Sequence, residues 1–125
     1  MQNIITFDKT EVMNFTVEHV GKTTVISSNV EKLDASNAPE LKAQFLHLNK
    51  GGFNEMILDL TKTKYCDSSG LSAVLVANRL CKDTNGTFDL CGLQANVRKM
   101  IEIAQLDRVL SISETKNTIL ATKNS

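Results

Sequence analysis

Met56-Ile57-Leu58-Asp59-Leu60, followed after Thr61-Lys62-Thr63-Lys64 by Tyr65-Cys66-Asp67-Ser68-Ser69-Gly70-Leu71, is the stretch that decides the architecture of this 125-residue chain. Met56 to Leu60 is an apolar run of buried-strand length, and Leu71 to Cys81 is apolar at helical spacing. What joins them is a strand-to-helix turn, with the helix spanning Ser69 to Lys82. Asp67 or Ser68 is its N-cap, because either side chain can accept a hydrogen bond from a free backbone N–H in the first turn. Small polar residues before a helix need mean nothing more than such a cap.

Working outward toward the N-terminus, Asn49-Lys50-Gly51-Gly52 closes an earlier helix through a glycine C-cap. That helix carries one apolar stripe, Ala38, Leu41, Phe45 and Leu48. It starts in Asp34-Ala35-Ser36-Asn37-Ala38-Pro39-Glu40, where Ser36 or Asn37 can cap and Pro39 suits the first turn. Asn37 and Glu40 have capping-box spacing. Phe15 to Val20 and Thr23 to Ser27, around Gly21-Lys22, read as a hairpin. Residues 4 to 8 read as a short strand or an arm.

Toward the C-terminus, Asn85-Gly86 ends the central helix and Thr87 to Cys91 is a strand. Val97, Met100, Ile101 and Ala104 mark a third helix beginning near Gln94. Arg108 to Ile112 reads as a last strand, and a final helix follows Ser113 through Ile119 and Leu120. The order is then β-β-α-β-α-β-α-β-α. Strands that alternate with helices imply an α/β sheet with parallel crossovers.

Composition removes several function classes. Fourteen basic and fourteen acidic side chains give no net charge, so no basic field calls for nucleic acid or a membrane surface. There is no apolar run near 18 residues to insert in a membrane and no secretory signal pattern at the start. Cys66, Cys81 and Cys91 form no C-x-x-C pair and lie in or beside apolar segments. They read as reduced core residues of a cytosolic protein. His19 and His47 have no metal-ligand spacing, so no metal or cofactor is expected. The G-x-S-x-G elbow and both glycine-rich phosphate loops are missing. Neither histidine segment shows an active-site signature that would make Ser68 a nucleophile.

At about 100° per residue the central helix separates into two faces. Ala73, Val74, Val76, Ala77, Leu80 and Cys81 must face the sheet, and Ser69 points toward them. Ser68, Ser72, Leu75 and Arg79 fall on the opposite arc, flanked by Leu71, Asn78 and Lys82. Leu71 and Leu75 are expected to be partly exposed beside the open Ser68 hydroxyl, forming a candidate docking surface. A phosphate on Ser68 would meet the positive end of the helix dipole, so it would leave the fold intact. It would also add about −1.5 to −2 charges to that surface.

The chain resembles the STAS-domain anti-sigma factor antagonists of bacteria. The resemblance rests above all on Asp67-Ser68-Ser69-Gly70-Leu71 after the apolar strand, with further likeness at Val30-Glu31-Lys32-Leu33-Asp34-Ala35 and at Cys91-Gly92-Leu93. Glu31-Lys32-Leu33 stands where many relatives have Gly-Glu-Leu or Gly-Arg-Leu. The chain reads as one STAS domain over residues 1–125: the resemblance covers a core of about 13–121, residues 1–12 lie outside it and read as an N-terminal strand or arm, and 122–125 form a polar tail. The resemblance implies a STAS-type mixed β-sheet with an N-terminal hairpin and about four α-helices packed on it. It further implies a cytoplasmic binding module without enzymatic activity. The partners implied are an anti-sigma factor serine kinase, which phosphorylates Ser68, and a metal-dependent serine phosphatase of the PP2C type. Asp34, Asp67, Ser68, Ser69, Gly70, Leu71, Ser72, Leu75 and Arg79 are the expected partner-binding residues. The alternatives are a constitutive STAS scaffold or adaptor subunit of a signalling assembly or lipid transporter, in which the motif is only a helix cap, and a nucleotide site at the strand ends.

Overall fold

A computed structural model describes residues 13–123. The strand or arm expected at residues 4–8 lies outside the described residues. The hairpin forms as β1 (Phe15–Val20) and β2 (Thr23–Ser28), paired antiparallel. Then come β3 (Lys32–Leu33), α1 (Ala38–Lys50), β4 (Glu55–Asp59), β5 (Tyr65–Cys66) and α2 (Ser68–Asp83). The chain continues through β6 (Thr87–Cys91), α3 (Ala95–Ile103), a 3₁₀ turn (Leu106–Arg108), β7 (Ser111–Ser113) and α4 (Lys116–Lys123).

The main sheet runs β1-β2-β4-β6-β7, parallel from β2 onward. This is the mixed α/β sheet expected from the alternation of strands and helices. Parallel strands buried on both faces read as continuous apolar runs, and β4 shows why. Met56 and Leu58 face a large core with Phe15, Ile26, Phe88 and Leu90, filled by Leu41 and Phe45 of α1, Val74 and Ala77 of α2, and Val97 and Ile101 of α3. Ile57 between them faces a smaller cluster, Val25, Cys91 and Ile119. So α1, α2 and α3 cover one face and α4 the other. Asp89, on the α4 side, forms an ion pair with Lys123 at 3.6 Å.

Several expectations are corrected. The Leu106–Arg108 turn occupies part of the segment expected as the last strand, which is Ser111–Ser113 instead. Its left-handed entry is at Gln105 (φ 59°), a residue that gives no turn signal. Ser113 lies in β7 and does not cap α4. Thr115 takes that position, its hydroxyl accepting from the Thr118 N–H at 3.3 Å. Asn37 precedes α1, but no capping box forms. Its side-chain Oδ1 accepts from the Asp34 N–H and its Nδ2 donates to the Lys32 carbonyl, while the Glu40 carboxylate accepts from Asn14. The glycine stop of α1 is present, with Gly52 at φ 94° and its N–H donating to the Asn49 carbonyl.

Two strands of two residues each were not legible by period. β3 and β5 pair in parallel, Lys32 with Tyr65 and Leu33 with Cys66, as a ribbon separate from the main sheet. This ribbon ties the segment entering α1 to the segment entering α2.

Candidate functional site

The motif turn is anchored to the ribbon. The Asp67 N–H donates to the Leu33 carbonyl at 3.1 Å, so the chain leaves β5 alongside β3. Asp67 is extended (φ −100°, ψ −172°) and its Oδ1 accepts from the Gly70 N–H at 3.1 Å. Of the two caps the sequence allowed, Asp67 is therefore the one used, and α2 begins at Ser68. Gly70 sits where no side chain fits: a Cβ there would lie 2.6 Å from Cys66 Sγ and 2.8 Å from the Leu33 carbonyl oxygen. Glycine lets the first turn of α2 press against the ribbon.

The adjacent serines separate as the helical arithmetic indicates: Ser68 is exposed and Ser69 half-buried. Ser72 and Arg79 are exposed and Leu75 is half-buried. Leu71 departs from expectation. It is 7% exposed and belongs to the main core together with Leu33 and Cys66. Asn78, also expected beside the exposed face, is 9% exposed. Counting angles around α2 registers only its sheet-facing arc, whereas the β3–β5 ribbon gives the start of the helix a second packed side. Leu71 and Gly70 therefore shape the site from beneath, and Leu75 is the leucine that reaches its surface.

Two open spaces border the start of α2 and a third lies farther along it. Between α1 and α2 lies a groove of about 340 Å³. Ala35, Ala38, Pro39 and Lys42 line it on one side; Ser68, Ser69 and Ser72 line the other. Over the ribbon lies a cavity of about 540 Å³ in which Asp34 and Asp67 meet Lys32 and Tyr65. Along the far flank of α2, Leu75, Val76 and Arg79 face Val109 across about 470 Å³. Lys42, Tyr65 and Val109 were missed by sequence reasoning. Tyr65 is an exposed aromatic with the Lys32 ammonium 5.9 Å from its ring centre. A tyrosine exposed beside a motif was the signal available; Lys42 and Val109 come from other elements and gave none.

Asp34 accepts from the Ser36 hydroxyl (2.6 Å) and from its N–H (3.0 Å), and these bonds hold its carboxyl below the usual carboxylate range. Burial pushes the thiols of Cys66 and Cys91 up to about 12 and that of Cys81 up to about 11, so all three are protonated near neutrality. They are free and buried, as expected. His19 Nδ1 pairs with the Thr24 hydroxyl at 3.0 Å, and the His19 ring lies 4.4 Å from that of Phe53. His47 lies in the last turn of α1, whereas Ala38 at the first turn borders Ser68. At 1.5 Å per residue, that is about 13 Å along the helix. Neither imidazole borders the Ser68 groove to serve as its base. Among the described residues no three His, Cys, Asp or Glu side chains are placed to hold a metal. No described helix is long and apolar enough to cross a membrane.

The family model of the STAS domain matches residues 14–119. The chain belongs to the STAS domain family. Over 89 residues, 71% of this chain and 77% of the other, it is 26% identical to a Bordetella bronchiseptica protein bearing the name anti-sigma factor antagonist BtrV. Its fold is similar to that of a Thermotoga maritima protein described as an anti-sigma factor antagonist, with a TM-score of 0.82 at 22% identity over 89% of this chain and 95% of that one. It is also similar to the Bacillus anti-sigma factor antagonist SpoIIAA in its unphosphorylated form, with a TM-score of 0.76 at 21% identity over 89% and 98% of the two chains. The same protein in its phosphorylated form gives a TM-score of 0.68 at 22% identity over 86% and 98%.

Proposed function

We propose that this chain is an anti-sigma factor antagonist that acts as a phospho-switched binding module in the cytoplasm. Unphosphorylated, it binds an anti-sigma factor serine kinase and so frees a sigma factor. The observation that carries this reading is the exposed Ser68 hydroxyl at the first position of α2, bordered by a groove and followed along the same face by Ser72, Leu75 and Arg79. The name borne by the BtrV relative supports it, as does the existence of SpoIIAA in both phosphorylated and unphosphorylated forms.

In the switching step, the kinase transfers the γ-phosphoryl group of ATP to Ser68 Oγ. An O–P bond forms at Ser68, the bond to the departing ADP breaks, and the hydroxyl proton passes to a base. No histidine of the described residues borders Ser68, and in this reading the kinase supplies the base and the chain is its substrate. At the start of α2 the phosphate meets the positive end of the helix dipole, and the fold survives. The docking face now carries a charge that the kinase would have to desolvate, and the complex dissociates. A PP2C-type phosphatase resets the module.

The test is the affinity of the kinase for three forms: unmodified, phosphorylated at Ser68, and Ser68→Asp. Phosphorylation is expected to weaken binding roughly tenfold or more, equivalent to about 1.4 kcal/mol. Ser68→Asp should move the same way by less, since it adds a single charge. Equal affinity for all three forms would overturn the switch and leave a constitutive scaffold.

A further inference from the structure

We propose that Lys42 receives the phosphoryl group on Ser68, holding it in the groove between α1 and α2. The inference rests on Ser68 being the modified residue. The α1 wall of the groove is low because Ala35, Ala38 and Pro39 are small, which leaves about 340 Å³ beside the serine. Lys42 follows Ala38 by one turn and carries the only charge among the described residues lining that space.

Lys42 is half-buried and takes part in neither ion pair of the described residues, which join Glu31 to Lys64 and Asp89 to Lys123. A cation lining the same groove as a hydroxyl, with no carboxylate of its own among the described residues, has one natural use once that hydroxyl carries a phosphate. Ser72, one turn beyond Ser68 on the same wall, adds a second donor. The other charges near the turn lie in the neighbouring cavity, where Asp34, Asp67 and Glu31 outnumber Lys32. Those carboxylates repel a phosphate dianion, so Lys42 is what makes the groove receptive. Phosphorylation would then fill the space into which a partner docks as well as charging its rim.

Phosphoserine encoded at position 68 of the full chain allows the contact to be read without any kinase. The second ionisation of the phosphate is followed by phosphorus NMR with Lys42 in place, in Lys42→Gln and in Lys42→Arg. A neighbouring cation favours the dianion, so Lys42→Gln should raise that pKa by about half a unit and Lys42→Arg should restore it. Identical titrations in all three proteins would overturn the contact. A kinase that leaves Ser68 unmodified would overturn the proposed function while leaving this titration result standing, so the two failures are distinguishable.

Discussion

On the side of the Asp67–Leu71 turn that faces β3, a Cβ on Gly70 would lie within 3 Å of Cys66 Sγ, the Leu33 carbonyl oxygen and Leu33 Cγ. On the side that faces α1, the Ser68 hydroxyl borders a groove of about 340 Å³ walled by Ala35, Ala38, Pro39 and Lys42. Neighbouring residues of one short motif therefore have opposite surroundings. Gly70 and Leu71 hold the start of α2 against the ribbon, and Ser68 is left exposed. Variants on the two sides should fail differently, the first in stability and the second in switching.

The strongest challenge to that division is Leu71→Ala. If Leu71 is core, truncating it should cost about 3 kcal/mol of unfolding free energy in a denaturant titration; a cost near zero would return it to the surface. Gly70→Ala should cost about 2 kcal/mol through overpacking, since the Leu33 backbone cannot yield without moving β3. Asp67→Ala removes the cap on the Gly70 N–H and should cost about 1 kcal/mol. Ser68→Ala should stay within about 0.5 kcal/mol of the parent protein, because the side chain is exposed, yet it should accept no phosphate by intact mass. A large loss of stability in Ser68→Ala would mean that the motif serves the fold on both sides.

Most of the sheet was legible because period and position agree. Phe15, Ile26, Met56, Leu58 and Leu90 lie in apolar segments of strand length, and Leu41, Phe45 and Leu48 recur at helical spacing, so the strand and helix assignments there were sound. Lys32–Leu33 and Tyr65–Cys66 are too short to show any period, and their pairing comes from the chain passing the same place twice. That unseen ribbon is also why Leu71 was misplaced, since it buries a flank of α2 that the helix's own periodicity marks as open. The Ser68–Ser69 split is legible because both residues lie at the very start of the helix, where exposure depends on which way the first turn faces. The α1 wall of the groove was beyond reach, because Ala38 and Lys42 meet Ser68 only after α1 and α2 pack.

The central claim is tested most directly by incubating the purified chain with ATP and the kinase that co-purifies with it, then reading intact mass and the modified site. A single phosphate on Ser68 is the predicted result. A phosphate on Ser69 would contradict the division of the turn into a packed and an open side, and a stable complex with no phosphate would contradict the switch.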